Sequence, residues 1–422
     1  MRLTDVQIMN FKGLDDIQLQ FRPGFNLIKG ENGKGKTSIL EAISVGLGGF
    51  LIGIEGVRSR HITKEEIKRV YNPMGDGSCD CMFSVPVEIA LTAEFDDGDV
   101  ISWTRGRNSV NASRSTLQPR DISKKAEKLA NDEKAMLPIV NYQAAGRVWS
   151  QKREKSENVF RTKYIRTVGY LDSLAEASNI KLLLNWCIKM EQVSWQKNMR
   201  IAEYEAVKNI VAAFMIEMGH HYNCKVFYDK QFEELMYSEN GKILPIRDLS
   251  AGFQSLIWMV FDIAYRMAVL NPNKGNDIAL TNGVVLIDEL DMHLHPKWQW
   301  KVIDALRKVF PNIQFIATTH SPILFASAKS VWIIDIEKEQ PTYDNSSYGL
   351  DLNTSIRRYQ ETFDVPEKVQ QLIDKFYDAL NDCSYDLAKE LLLELEKIIE
   401  PSNPGLARLK TCLELETILL ED

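Results

Sequence analysis

The segment Gly30-Glu31-Asn32-Gly33-Lys34-Gly35-Lys36-Thr37 carries the most specific chemistry in the chain. Its spacing is G-x-x-x-x-G-K-T, and it follows a short apolar strand and opens a helix. Glycines let a backbone wrap a phosphate closely. Successive N–H groups, together with a helix N-terminus, then hold the anion. Asn32, Gly33, Lys34, Gly35, Lys36, Thr37 and Ser38 are therefore candidate nucleotide-binding residues. Lys36 should reach the β- and γ-phosphates of ATP, and the Thr37 hydroxyl should ligate Mg²⁺. A chance glycine-rich turn is the competing reading, and the strand-loop-helix context argues against it.

Three further motifs complete a triphosphate chemistry. Val284-Val285-Leu286-Ile287 is a buried-strand run ending in Asp288-Glu289. A carboxylate there can hold Mg²⁺ (Asp288), and the next can polarise an attacking water (Glu289). Leu249-Ser250-Ala251-Gly252-Phe253-Gln254 precedes a long apolar helix. Ser250 would cap that helix, or its hydroxyl and the following amides, with Gly252, would bind a γ-phosphate. His320, in Ala317-Thr318-Thr319-His320, ends another buried strand at the same sheet edge and suits a γ-phosphate sensor.

These residues need a largely parallel sheet to bring them together. Phe25 to Ile28, Val284 to Ile287, Gln314 to Ala317 and Val331 to Ile334 read as buried strands alternating with helices. Val6 and Ile8, then Ile17, Leu19 and Phe21, then Val87 to Phe95 and Val100 to Trp103 alternate with polar residues. That pattern predicts an antiparallel β subdomain. Residues 104–136 read as a surface loop and a charged helix, and 150–236 as mostly helical. Asn240-Gly241 reads as a hairpin turn, 251–270 as a long helix, and 365–421 as three helices broken near Asn381 and Pro401 to Pro404.

The four motifs, in this order, resemble the ATP-binding-cassette (ABC) superfamily, and more closely its soluble branch containing the Rad50 and structural-maintenance-of-chromosomes (SMC) heads. Asn10-Phe11-Lys12-Gly13, the phosphate loop and Asp288-Glu289-Leu290-Asp291-Met292-His293-Leu294-His295-Pro296 are similar to the compact ATPases of Septu- and retron-type anti-phage systems. The resemblance covers about residues 1–340. It implies an α/β ABC ATPase head, a mixed β-sheet with a P-loop core plus an antiparallel β subdomain, with a short helical insertion and a C-terminal helical segment. It implies that Gln143 contacts Mg²⁺ and water, that Asp291 opens the D-loop, and that Ser250 and Gly252 preserve a signature usually written Leu-Ser-Gly-Gly-Gln. It also implies a homodimer or higher oligomer in which one chain's Lys36 and its mate's Ser250 enclose each ATP. It further implies a nuclease subunit, expected to be of HNH type, as partner.

The expected domains are an N-terminal lobe (1–145), a helical insertion (146–236), a C-terminal lobe with signature, Asp288-Glu289 and switch His (237–345), and a C-terminal partner-docking segment (346–422). Roughly 210 residues from Thr37 to Ser250 carry no sustained heptads, so no long coiled coil is expected. Ala388, Leu391, Leu392, Leu395 and Ile398 form one apolar helical face, for the chain's own core or for a partner.

Composition sets the outer limits. Formal net charge is −7, which draws no nucleic acid globally. Two local basic stretches could contact DNA or RNA: Arg105, Arg107, Arg114 and Arg120, and Arg147 to Arg166 with Trp149 and Tyr164 interleaved. A solvated charged face is the plainer reading. The six cysteines are scattered and read as reduced thiols. Asp291, His293 and His295 read as a stabilised turn before Pro296 rather than a metal site. No membrane segment or signal peptide is expected, so the location is taken as cytoplasmic. Two functional alternatives stay open: an ATPase acting directly on DNA in repair or chromosome maintenance, and a transporter subunit.

Overall fold

The computed structural model describes residues 1–74, 79–146, 165–177, 179–338, 340–346, 348–360, 365–401 and 403–418. In chain order the first part holds β1 (Arg2–Met9), β2 (Asp16–Gln20), β3 (Phe25–Lys29), α1 (Lys36–Leu51), β4 (Arg69–Pro73), β5 (Cys79–Phe83), β6 (Val87–Glu94), β7 (Val100–Arg107), β8 (Thr116–Gln118), α2 (Asp121–Asn131) and β9 (Ile139–Gln143). After a 3-10 turn (Arg166–Tyr170) come α3 (Ile180–Lys197), α4 (Ala202–Glu217), β10 (Lys225–Asp229), β11 (Glu234–Glu239), β12 (Lys242–Pro245) and α5 (Ala251–Leu270). Then follow β13 (Gly283–Ile287), α6 (Pro296–Gln299), α7 (Val302–Val309), β14 (Ile313–Thr318), α8 (Pro322–Ser327), β15 (Val331–Asp335) and β16 (Thr342–Asn345). Four helices close the chain: α9 (Leu352–Gln360), α10 (Glu367–Asn381), α11 (Tyr385–Ile398) and α12 (Pro404–Ile418).

The central sheet has the order β16-β15-β3-β14-β13-β9. All its pairings are parallel except β15 with β16. Every residue of β3, β9, β13 and β14 is buried, as the continuous apolar runs require of a sheet covered on both faces. One consequence governs the site: β14 lies between β3 and β13. The end of β14 therefore stands between the phosphate loop and Asp288.

The second sheet, β2-β1-β6-β7-β8, is antiparallel throughout. Two side chains tie it to the core. Gln314 of β14 exchanges hydrogen bonds with the backbone of Leu3, at 2.7 and 2.8 Å. The Trp103 indole N–H donates to the Gly46 carbonyl in α1 at 2.8 Å.

Here the expectation for residues 104–136 is corrected. Arg105 and Arg107 do not sit on a surface loop; they continue β7 inward beyond Trp103, and both are buried. Their guanidinium groups are satisfied by carbonyls. Arg105 donates to Arg60 O at 2.8 Å, and Arg107 to Ile62 O and Val110 O at 2.7 Å. Burial lowers the Arg105 pKa to about 10. Neither residue can offer a phosphate-binding surface. Arg147, Lys152, Arg153, Lys155, Arg161 and Lys163, with Trp149 and Tyr164, lie outside the described residues.

Residues 225–239 are also not helical. They form β10 and β11, which pair with each other and with β12 around the Asn240-Gly241 turn. The boundary placed between residues 236 and 237 thus falls inside β11. Among the described residues one helix, α5, is long and apolar enough to cross a membrane, and it is mostly buried inside the protein. All six cysteines are free thiols.

The chain divides into two units, Met1–Leu350 and Asp351–Asp422. The second has its own core, built on Val369, Phe376, Leu380, Ala388, Leu395, Leu406 and Leu409. Ala388, Leu391, Leu392 and Leu395 of the expected apolar face are spent in it, whereas Ile398 is exposed.

Candidate nucleotide site

The loop after β3 turns because Gly33 and Gly35 take left-handed φ values of 86° and 90°, a region open to glycine at little cost. Gly35 is also the N-cap of α1, and a Cβ there would stand 2.8 Å from Leu14 Cδ2. The Asn10 to Leu14 turn is thereby laid against the loop. In the same turn Lys12 is ion-paired with Glu41 of α1.

Lys36 is buried and curls back over the loop, donating to the carbonyls of Gly30 and of Glu31, the latter at 2.9 Å. Burial lowers its pKa, while the carboxylates of Glu337, Asp288, Glu289 and Asp291 act in the opposite direction. This ammonium has little water to lose, and its carbonyl contacts can be exchanged for phosphate oxygens.

Asp288, at the end of β13, is 2% exposed. Thr37 Oγ1 donates to its Oδ2 at 3.0 Å, and Thr318 Oγ1 to its Oδ1 at 2.7 Å. The donor set is therefore carboxylate and hydroxyl oxygen beside a phosphate loop. That suits Mg²⁺, which prefers hard oxygen ligands, keeps several waters and relies on one or two carboxylates plus the substrate's phosphates. Among the described residues no group of three or more His, Cys, Asp or Glu forms an all-protein metal cage. His295 instead caps α6, its Nδ1 accepting from the Lys297 N–H at 3.2 Å, with Pro296 in the first turn.

Glu289 sits at φ 48°, a left-handed conformation uncommon for a side-chain-bearing residue. Its N–H donates to Thr318 Oγ1 at 2.8 Å, and its carbonyl accepts from the Met292 N–H at 3.1 Å. Thr318 therefore fixes both acids. Sequence reading passed over Thr318 because it lies among other polar residues before His320. The strand order alone, with β14 in the middle, would have singled it out.

His320 follows β14, and its N–H donates to Asp291 Oδ1 at 3.3 Å, beside the Thr319 hydroxyl on the same oxygen. The His320 backbone and the Asp291 carboxylate are thus joined. Ser250 has the extended backbone of a helix N-cap, makes no side-chain capping bond, and is exposed. Gly252 is buried, and a Cβ on it would stand 2.2 Å from the His293 carbonyl oxygen. Its glycine is needed within the chain, where the start of α5 meets the segment after Asp291. Phe253, a departure from the usual signature, packs edge-on between His220, Tyr237 and Trp298, with centroid distances of 4.7, 5.1 and 5.4 Å.

Gly252→Ala offers a clean separation. No room exists for the methyl without moving the His293 backbone, and overpacking of this kind costs about 1–3 kcal/mol. The variant should bind ATP as the parent does and lose hydrolysis by about tenfold or more, as misplacement near a reacting centre does. Calorimetric binding beside phosphate release checks this.

Gln143 ends β9 next to the end of β13, and its carbonyl accepts from the Asp288 N–H at 2.8 Å. Its side chain, however, is directed to α5, where Nε2 donates to Asp262 Oδ2 at 2.8 Å and to Asn141 Oδ1 at 2.7 Å. The structure thus gathers Lys36, Thr37, Asp288, Glu289, Asp291 and His320 along one sheet edge. Gln143 is at that edge by backbone but not by side chain. Glu337 was missed altogether: its carboxylate accepts from the Glu31 N–H, and Lys34 donates to its carbonyl at 3.2 Å.

This fold and this constellation are those of an ATPase head. The chain belongs to the AAA domain family: one model, described as "AAA domain, putative AbiEii toxin, Type IV TA system", matches residues 110–326, and a second AAA domain model matches residues 5–210. Among curated relatives, it is 26% identical to "Retron Ec83 probable ATPase" of Escherichia coli over an alignment of 398 positions that covers 79% of this chain and 71% of that one. It is 24% identical to "Septu protein PtuA" of Bacillus thuringiensis over an alignment of 419 positions that covers 95% of each chain. Among solved structures, an SMC head bound to the C-terminal winged-helix domain of ScpA aligns with TM-score 0.51 at 16% identity, covering 85% of this chain and all of that one. That last likeness is one of fold.

Proposed function

We propose that the protein is the ATP-gated regulatory subunit of a bacterial anti-phage complex, in which two chains close head to tail around two ATP molecules and control an associated HNH-type nuclease. The observation that carries the reading is the α5 start. Ser250 is exposed and makes no capping bond, while Gly252 locks the same helix turn to the segment that follows Asp288 and Asp291. A helix N-terminus presents amides without intrahelical partners, suited to a γ-phosphate brought by a second chain.

Each residue then has a task. Asn32 to Ser38 cradle the phosphates, and Lys36 moves from its loop carbonyls to the β- and γ-oxygens. Thr37 and Asp288 hold Mg²⁺, which when bound neutralises charge on the phosphates. Glu289 orients and deprotonates the attacking water, fixed in place by Thr318. His320, tied to Asp291, reports the γ-phosphate to the dimer seam. Binding closes the pair, and hydrolysis opens it. The similarity to retron and Septu ATPases supports the defence setting.

The experiment is reconstitution with an HNH-type nuclease that copurifies with the protein. Nuclease activity should change with ATP in the presence of the protein, and Lys36→Ala, which we expect to lose ATP binding by calorimetry, should abolish the change. Nuclease activity indifferent to both the protein and ATP would end this reading.

A further inference from the structure

Strand register carries the end of β15 to the phosphate loop. Asp335 pairs with Lys29, the last residue of β3, and the Ile336 N–H donates to the Lys29 carbonyl at 3.0 Å. Ile336 then runs beside Gly30, where a Cβ on the glycine would stand 2.9 Å from Ile336 Cγ1. Glu337 follows, level with Glu31. Its N–H donates to Asp335 Oδ1 at 3.0 Å, and Asp335 Oδ2 accepts from Lys29 Nζ at 2.6 Å. Asp335 is thus committed to Lys29 and to the backbone, and it fixes where Glu337 stands.

The Glu337 carboxylate is placed differently. Among the described residues its partners both belong to the phosphate loop: the Glu31 N–H, which donates to Oε1, and the Lys34 ammonium, 3.8 Å from Oε2. A backbone N–H and a lysine ammonium are the kinds of group with which such a loop takes a phosphate. The same carboxylate bears on Lys36. Burial lowers the pKa of that ammonium, and of the four carboxylates that oppose burial Glu337 has the largest effect, ahead of Asp288. Glu337 is partly exposed and Lys34 is exposed, so the acid has room to swing away.

We propose that Glu337 is a built-in anion of the phosphate loop: its carboxylate competes with nucleotide phosphate for the loop's N–H and lysine groups, and so sets the affinity of the site for polyphosphate. The inference rests on the reading of Gly30 to Ser38 as the phosphate site. If the carboxylate stays, it faces the incoming phosphates as a like charge. If it swings out, its bonds to Glu31 and Lys34 are given up, and both groups become available to the ligand. In either case the acid weakens binding. A ligand that brings several negative charges to the loop outcompetes one carboxylate, whereas a singly charged one does not. Asp335 keeps its own contacts throughout, so a displaced Glu337 stays tethered beside the loop and returns when the phosphates leave.

The test uses the full chain and calorimetry in EDTA, with a non-hydrolysable ATP analogue and pyrophosphate as ligands. Glu337→Gln keeps the size of the side chain and an acceptor for the Glu31 N–H, and removes the charge. It should bind both ligands about threefold or more tightly than the parent, the scale that separates a charged from a neutral hydrogen bond. Lys36→Ala should lose both ligands. Unchanged or weaker binding by Glu337→Gln, with Lys36→Ala still losing both, would overturn the inference and leave the phosphate site standing. A gain for the ATP analogue without one for pyrophosphate would set Glu337 against the nucleoside instead, and overturn it as well. Parental binding by Lys36→Ala would remove the phosphate-site reading, and the inference with it. Should Glu337→Gln fail to fold by circular dichroism, Glu337→Ala carries the same comparison.

Discussion

Glu289→Gln is expected to bind ATP with parental affinity, to hydrolyse it about 10²–10³-fold more slowly, and to accumulate as a dimer in ATP. The factor follows from removing a general base, which typically contributes 10²–10⁴-fold. The carboxamide keeps the size of the side chain, and the features that set the Glu289 conformation are backbone ones: φ 48°, the N–H on Thr318 Oγ1 and the carbonyl on the Met292 N–H. None depends on the carboxylate. Ground-state contacts to phosphate come from Lys36 and the loop amides, so affinity should hold. A loss confined to turnover is the signature of an interaction made in the transition state. If opening of the dimer waits on hydrolysis, the slow variant stays closed. Phosphate release and light scattering after gel filtration read the two effects. Parental turnover in the variant would withdraw the role given to Glu289.

The parts of this molecule legible in its sequence are those in which a local string decides the outcome. Gly30 to Thr37 and Ile287 to Glu289 are contiguous, and α5 begins and ends where its apolar pattern does, at Ala251 and Leu270. The illegible parts depend on partners far along the chain. Trp103, Arg105 and Arg107 keep strict strand alternation, but an arginine reads as exposed until its carbonyl partners are known, and those are supplied by Arg60, Ile62 and Val110. Val226, Tyr228, Leu235 and Tyr237 are strand residues whose sheet is completed only by β12, beyond the Asn240-Gly241 turn. Asp262 is a single acid within the apolar helix α5, and it is the acceptor on which Gln143, Asn141 and Arg266 converge. Function concentrates where such long-range pairs meet, so the site's chemistry was readable before its wiring.

The wiring also predicts a rescue between two defective chains. Lys36→Ala should not bind ATP, and Ser250→Arg should bind it but offer no room for a partner's γ-phosphate. Alone, neither should dimerise with a non-hydrolysable analogue. Mixed, the Ser250→Arg chain brings a loaded phosphate loop and the Lys36→Ala chain brings an intact Ser250, so one complete pocket forms at their seam. The second pocket of that pair carries both lesions and contributes nothing. A two-fold pair built from one patch on each chain allows this arithmetic, since every contact occurs twice and can be broken once. With different affinity tags, copurification of the two chains should rise by about tenfold or more on adding nucleotide, because ligand that binds only the assembled state shifts assembly by mass action. Two Lys36→Ala chains, or two Ser250→Arg chains, should show no rise. If Ser250 served the phosphate loop of its own chain, the mixture would behave as its components do. The absence of rescue, with both variants folded by circular dichroism, would therefore remove the shared pocket.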